Sequence, residues 1–364
     1  MPSSPDLSPP PLKRRKVASR EGSPSRPAQE EVQIENISQK HAKQALRVFS
    51  WNINGITPFL PPTTQKITTF LASPPKGPRL AQPSLRACLH RWSWPHILCL
   101  QEVKIASSDT KTLAIIKRVV NSPIGEEGEE PPPSRQYDAH FCLPRDKHNA
   151  TRFGGKVHGV CTLIRRDLPN VHIKTVDWDL EGRVLISELV NDGLAVINIY
   201  AVNGTSYDYR DPASGKVIAT RHDRKRAFHT HLRDEVRFYE QRGWDVLVIG
   251  DINISRTKMD SFPQLRIGEE HVENRADFEE KIMKEAGMVD SFRFLHGQKR
   301  KYSYRPTHKP WGEGGDRVDM GLITRGLTKR LGGADILDSV EERGSSDHVP
   351  LFVELTASEE QESD

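Results

Sequence analysis

Four apolar, strand-like runs in this chain each border a short polar motif built from carboxylates and amides. They are RVFSWNING (residues 47–55), ILCLQEVK (97–104), VLVIGDINIS (246–255) and GSSDHVPLFVEL (344–355), the last with its polar motif ahead of the run. A carboxylate at the end of a buried strand is costly unless something cationic gathers it. Repeated from residue 47 to residue 355, the pattern predicts one shared metal site on a sheet scaffold.

At 364 residues the chain suffices for one large domain or two ordinary ones. Its 35% hydrophobic share is low, but the deficit is local. Residues 1–42 are rich in Pro, Ser and Glu without an apolar period, residues 356–364 (TASEEQESD) are polar and acidic, and PIGEEGEEPPPSR (123–135) is a Pro-rich acidic loop. All three read as disordered. The formal net charge is +4, yet setting aside the tail 1–42 (net +2), the four glutamates at 126–130 and the four acids at 359–364 leaves a body of +10. A body that basic favours a polyanionic partner. Lys13-Arg14-Arg15-Lys16 in the tail has the character of a nuclear import signal or a non-specific nucleic-acid arm, which makes the nucleus the expected location. The chain opens without an apolar signal-like region and holds no stretch of 18 apolar residues, so neither secretion nor membrane insertion is expected. Cys88, Cys99, Cys142 and Cys161 show no CxxC pairing or zinc-type spacing; Cys99 and Cys161, inside apolar runs, read as reduced buried thiols.

Strand-like runs recur at 47–53, 96–102, 138–143, 159–165, 171–177, 184–190, 194–201, 246–252, 301–305, 317–323, 334–341 and 350–355. Helical periodicity is confined to about 63–72, 84–92, 108–121, 221–242 and 274–286. Many strands, few helices and no regular βαβ repeat predict a mainly antiparallel two-sheet sandwich with helices packed outside. One domain over residues 43–357 is expected, followed by an acidic tail at 358–364, with surface insertions near 73–86, 122–135 and 205–219.

Asn52, Asn54, Glu102, Asp251, Asn253 and Asp347 offer only hard oxygen donors, a set suited to Mg²⁺, Ca²⁺ or Mn²⁺ and unsuited to zinc or copper. Mg²⁺ takes one or two carboxylates beside water and phosphate oxygens, so Glu102 and Asp347 come first, with the others nearby. Among the remaining residues, a histidine held by an acid (His348, with Asp347 adjacent and Asp319 in DRVDM) can neutralise charge on a phosphoryl transition state. Asp251, sharing a strand face with Asn253, can orient and deprotonate a water, and Tyr200 and Asn203 in NIYAVNGT add hydroxyl and amide donors. Singly, each motif reads equally well as a turn, a strand end or a helix cap. Together they describe metal-assisted hydrolysis of a phosphodiester.

These motifs resemble those of the exonuclease III-like class II AP endonucleases, within the endonuclease/exonuclease/phosphatase superfamily. The match covers about residues 46–356 through SWNING, LQEVK, GRVLISEL, NIYAVN, GDINIS, DRVDM and SSDH. The resemblance implies a DNase I-like, four-layer α/β sandwich of two mainly antiparallel sheets flanked by helices. It implies Mg²⁺-dependent incision 5′ to abasic sites in base excision repair, with Mn²⁺ able to substitute, and 3′-phosphodiesterase or 3′–5′ exonuclease activity as companions. The implied partner is double-stranded DNA carrying abasic or 3′-blocked lesions, met by a monomer. By motif, Glu102 and Asp347 bind metal assisted by Asn52 and Asn54, Asp251 activates water with Asn253 beside the phosphate, Tyr200 and Asn203 contact the phosphate, and Asp319 holds His348.

The family often has aromatics flanking its Arg-x-Asp, lining the pocket for the flipped-out sugar. Here Trp311 lies upstream on a Gly-rich loop and Met320 follows Asp319. Lys104, Asn203, Arg221, Arg224 and Trp311 are the expected DNA contacts, with Lys225 and Arg226 in the same basic segment. The alternative reading is another superfamily hydrolase: a non-specific DNase, a poly(A) nuclease or a phosphoinositide phosphatase.

Overall fold

The computed structural model describes residues 45–61, 84–123, 131–149 and 158–357. The expected tails 1–42 and 358–364, the basic cluster 13–16, the helix at 63–72 and the acidic part of the 122–135 insertion lie outside the described residues.

Two six-stranded sheets dominate. The first contains β1 (Leu46–Asn52), β2 (Ile97–Gln101), β3 (Tyr137–Cys142), β4 (Val160–Arg165), β15 (Leu331–Ile336) and β16 (Leu351–Leu355), in the spatial order β15-β16-β1-β2-β4-β3. The second contains β5 (Val171–Thr175), β6 (Val184–Leu189), β7 (Leu194–Tyr200), β10 (Asp245–Asp251), β12 (Val289–Asp290) and β14 (Asp319–Ile323), in the order β12-β14-β10-β7-β6-β5. Among the described residues, only β1–β2 and β7–β10 pair in parallel. Among the described residues, two small pairings complete the set: β8 (Asp208–Arg210) with β9 (Val217–Thr220), and β11 (Ser261–Phe262) with β13 (Gly315–Asp316).

Side-chain alternation with period two gives each central strand two buried faces. Inward, Val48, Ile97, Val196, Leu247 and Ile249 interlock between the sheets. Outward from the first sheet, Phe49, Trp51, Leu98 and Leu100 pack beneath helices α1 (Leu85–Arg91) and α2 (Thr110–Val119). Outward from the second, Ile197, Ile199 and Val248 pack beneath α3 (Arg221–Glu240) and α4 (Glu269–Phe278). The result is the expected helix–sheet–sheet–helix sandwich. Short helices α5 (Ser291–His296) and α6 (Val340–Arg343) add to it.

The inward rows determine where chemistry sits. On β1 the row runs Val48, Ser50, Asn52; on β10 it runs Leu247, Ile249, Asp251. Both rows end in polar side chains at the same end of the seam, where Asn52 Nδ2 donates to Asp251 Oδ2 at 3.0 Å. Just below, Gln101 Nε2 donates to Asn198 Oδ1 at 2.8 Å and to Ser50 Oγ at 3.0 Å, so a fully buried polar layer ties the sheets beneath the site. Gly250, at φ +145°, is required there: a Cβ would stand 2.0 Å from the Ile199 carbonyl oxygen of the neighbouring strand.

Four expectations need correction. The strand expected at 334–341 lies at Leu331–Ile336, and Val340–Arg343 is helical. Residues 301–305 are not a strand; only Tyr304 forms isolated bridges, to Asp316 and His348. The helix expected at 274–286 begins at Glu269 and continues past Phe278 as a π-helix over Glu279–Glu285. The insertion at 205–219 folds as the β8–β9 hairpin leading directly into α3.

Candidate active site

Three of the four motifs turn sharply as their strands stop. Asn54, Glu102, Lys104 and Asn253 all take positive φ, between 50° and 56°, a region that Glu and Lys seldom occupy. The turns curl these side chains back over the seam. Strained backbone of this kind concentrates at functional sites.

The first cluster is built around Asn52, which is fully buried. Its Nδ2 donates to Glu102 Oε1 at 2.9 Å and to Asp251 Oδ2, while its Oδ1 accepts from the Asn54 backbone at 3.1 Å. Asn52 thus spends its whole amide orienting other donors. Asn54 Nδ2 donates to Asp347 Oδ1 at 2.8 Å, and Lys104 Nζ donates to Asn54 Oδ1 while lying 3.1 Å from Glu102 Oε2. An ammonium therefore occupies the space between hard oxygen donors of Glu102 and Asn54. Burial alone would raise the Glu102 carboxyl, but the Lys104 charge, the Asn52 hydrogen bond and His348 outweigh it and hold it below its ordinary value. An ionised, preoriented carboxylate with amide and carboxylate oxygens alongside fits a hard divalent cation.

The second cluster is the trio Asp251, Asp319 and His348, all buried, with donor atoms within 4.8 Å of one another. Pairing of β10 with β14 sets Asp251 opposite Asp319, and pairing with β7 sets it beside Tyr200. His348 Nδ1 bonds Asp319 Oδ2 at 2.7 Å, and the Asp319 backbone N–H donates to Ser303 Oγ at 2.9 Å. Among the described residues, Asp319 Oδ1 is buried with no hydrogen-bond partner. His348 is fixed from both ends of the fold: its N–H donates to Ser346 Oγ, which donates to the Asn52 carbonyl, and its own carbonyl accepts from Trp51 Nε1 at 2.9 Å. Burial works against its charge, but the Asp319 carboxylate, with help from Asp251 and Asp347, raises His348 to about 10. The trio is therefore an imidazolium between carboxylates, and a protonated imidazole is no metal ligand. Burial first, and the Asp319 charge second, push Asp251 up to about 7, near the range suited to a general base. Tyr200 is raised well above its ordinary value by burial and by the Glu102 charge, so its phenol stays a donor.

Both clusters open onto one cleft of about 260 Å³, lined by Glu102, Tyr200, Asn203, Asp251, Asn253, Asp347 and His348 among others. Asn253 is held by its N–H to Asp251 Oδ1 at 2.8 Å and by Nδ2 to the Ala201 carbonyl at 2.9 Å.

The basic residues proposed from sequence distribute differently. Arg224 is buried and bonded to Asp179 Oδ1 at 3.0 Å, away from the cleft. Arg221 clamps Glu181 through both terminal nitrogens, at 3.0 and 2.7 Å, and lines a neighbouring cleft of about 600 Å³ that shares Tyr200 and Asn203 with the first. Trp311 is half-buried between the Arg305 and Arg343 guanidiniums, 4.9 and 5.2 Å from its ring, and does not line the cleft. Met320 lies in the core beneath α3 and α4. Lys225 is the one that reaches the site, buried with Nζ donating to the Asn253 carbonyl at 2.7 Å. Burial, with nearby arginines adding to it against the Asp251 charge, lowers it to about 7. Sequence reasoning missed the lining residues Arg266, His271, Asn274, Arg275, Tyr304 and Asp316. Ser346, two residues ahead of His348, carried a usable signal, since a serine there often closes a turn onto backbone.

A sequence profile of the Endonuclease/Exonuclease/phosphatase family matches residues 49–348. No curated protein sequence matches the chain. Among solved structures, the catalytic domain of Xenopus laevis APE2 is similar at 20% identity, covering 86% of this chain and 94% of that one with a TM-score of 0.57. The 3′ phosphatase NExo from Neisseria, bound to product DNA hairpin, is similar at 18% identity, covering 85% and 99%, with a TM-score of 0.56. An AP endonuclease from Archaeoglobus fulgidus is similar at 17% identity, covering 85% and 98%, with a TM-score of 0.54. At these identities the likeness shows a common fold. With the profile spanning most of the chain, the protein belongs to the endonuclease/exonuclease/phosphatase family.

Proposed function

We propose that the chain is a Mg²⁺-dependent phosphodiesterase acting on double-stranded DNA, incising 5′ to abasic sites in base excision repair, with Mn²⁺ able to substitute and with activity on 3′-blocked ends. The observation that carries this reading is the single cleft lined by Glu102 and Asp347, with Asn54 bonded behind Asp347, and by Asp251 and His348, with Asp319 bonded behind His348. A divalent ion bound by Glu102 and Asp347 supplies Lewis-acid polarisation of a phosphoryl oxygen. Asp251 takes the proton of the attacking water; the new P–O bond forms as the P–O3′ bond breaks, and the departing O3′ takes a proton from solvent, leaving a 3′-hydroxyl and a 5′-phosphate. His348 neutralises charge developing on the phosphoryl oxygens, and Tyr200 and Asn203 donate hydrogen bonds to them. The repair role is also supported by the likeness to AP endonucleases and a 3′ phosphatase. The basic cluster 13–16 supports a nuclear location.

The test is incision of a duplex with one tetrahydrofuran abasic analogue, run beside the undamaged duplex, a 3′-recessed duplex and an inositol polyphosphate. Mg²⁺-dependent nicking at the analogue, abolished by EDTA, is expected. Equal cutting of undamaged DNA would remove the abasic-site claim and leave a nuclease; turnover of the inositol polyphosphate alone would replace it with a phosphatase.

A further inference from the structure

One side chain in the cleft works against binding a polyanion. Asp316 lines it beside Asp251, Asn253 and His348, and its side chain is 19% exposed. A partly buried carboxylate is costly, and here it also repels phosphate. Nevertheless it is built in firmly. β13 pairs Asp316 with Ser261 across the strands, and the Tyr304 backbone exchanges hydrogen bonds with it at 2.8 and 3.0 Å. Tyr304 also bridges to His348, so the position of Asp316 is set relative to the imidazole.

Its hydrogen bonding is one-sided. Oδ1 accepts from Ser261 Oγ at 2.6 Å and from Ser255 Oγ at 3.3 Å. Among the described residues, the nearest cation to Oδ2 is Arg266, 3.8 Å away and 61% exposed, beyond hydrogen-bond reach and well hydrated. Two hydroxyls thus lock the carboxylate's orientation and leave an oxygen that prefers a donor. Ile254, Leu265 and Val318 line the same cleft, giving apolar surface for a sugar face.

We propose that Asp316 is a specificity-determining residue, accepting a hydrogen bond from a neutral donor carried by the substituent on C1′ of the sugar next to the scissile phosphate. The inference rests on the phosphodiesterase reading above. Two sources share this chemistry: the C1′ hydroxyl of a natural abasic deoxyribose, and an amine on the base of an intact 3′-terminal nucleotide. A charge-assisted hydrogen bond of this kind gives a preference of about 10-fold or more over a substrate lacking the donor.

The experiment measures kcat/KM with Mg²⁺ on duplexes carrying a natural abasic site, made by excising uracil, and on matched duplexes carrying tetrahydrofuran, which has no C1′ hydroxyl. A second pair compares 3′-terminal deoxyadenosine with 3′-terminal tetrahydrofuran. The full-length protein is expected to favour the donor-bearing member of at least one pair by about 10-fold. Asp316→Ala is expected to bring that ratio close to one, and Asp316→Asn, which keeps the shape and one acceptor oxygen, to retain part of it. A preference in the first pair identifies the sugar hydroxyl as the donor, and one confined to the second identifies the base amine; both support the proposal. Equal rates within both pairs, or a preference that survives Asp316→Ala, overturn it. No cutting of any duplex overturns the phosphodiesterase reading itself, and the proposal with it.

Discussion

Replacing Asp319 by Asn keeps the size of the side chain and removes one charge from the trio. In the native protein His348 rises from an ordinary 6.5 to about 10 because the Asp319 carboxylate outweighs the cost of burial. That elevation corresponds to on the order of 5 kcal/mol in favour of the imidazolium. Its contribution is complete below 6.5 and is lost as pH rises through about 10. With Asn at 319, burial stays and the main compensating charge goes, so the imidazole returns to its ordinary range or below. At pH 8 the charged fraction of His348 then falls by about 30-fold. Asp251 responds too, since the Asp319 charge is second only to burial in raising it; without that charge its base form persists to lower pH. Both limbs of the pH–rate profile should therefore move to the acid side together. The rate should drop by about 30-fold at pH 8 and recover much of the loss near pH 6. Stopped-time assays of kcat/KM on a fluorescent tetrahydrofuran duplex between pH 5 and 10 read this directly. A loss of the same size at every pH, with both limbs unmoved, would show that Asp319 only props up the fold.

Four further outcomes are expected. Asp251→Asn should lower kcat by about 10²–10⁴-fold while fluorescence anisotropy shows DNA affinity kept within a few-fold, since proton abstraction contributes on that scale. Glu102→Gln should raise the Mg²⁺ concentration for half-maximal activity by at least about 10-fold, and should weaken Mg²⁺ binding in calorimetry without DNA. Trp311→Ala should cost about 1–3 kcal/mol of stability in thermal melts, by emptying the space between Arg305 and Arg343, with incision little changed. Arg183→Met should cost about 3–5 kcal/mol, because Glu181, buried and held well below the usual carboxylate range, loses a partner at 3.0 Å. Such a depressed acid stabilises the fold above its unfolded value and ceases to as pH falls through its folded one. The gap between the wild type and this variant should therefore narrow in strong acid.

The four strand ends were readable because buried runs and their terminal carboxylates are local in sequence. Asn52, Asn54, Glu102, Asp251, Asp347 and His348 needed only the assumption that the runs converge. The partners of the basic residues were not readable. Arg221 and Arg224 look alike at the start of α3, yet one clamps Glu181 at the edge of a cleft and the other is buried against Asp179. Which acid meets which arginine is settled by strands far apart in the chain. Trp311 misled for a related reason, since two arginines from other segments enclose it. The turn at 301–305 imitated a strand because its apolar and polar residues alternate, while Ser303 Oγ and Arg305 are committed to Asp319 and Asp338. Met320 followed its strand's outward row into the core, as period two requires.

The bond from Trp51 to the His348 carbonyl and the bond from Ser346 to the Asn52 carbonyl span almost 300 positions of sequence. β16 completes the same closure by pairing with β1. During synthesis the cation cradle's first donors emerge early, but the imidazolium and one of the cradle's two carboxylates emerge only with His348 and Asp347. Synthesis at about 5–20 residues per second therefore separates the first donors of the cradle from the imidazolium by many seconds. A chain terminated before residue 348 would likewise lack the charge-neutralising group, whatever else of it folded. Assembled in this order, the site lacks its imidazolium until residue 348 has been made, however early its first donors are in place.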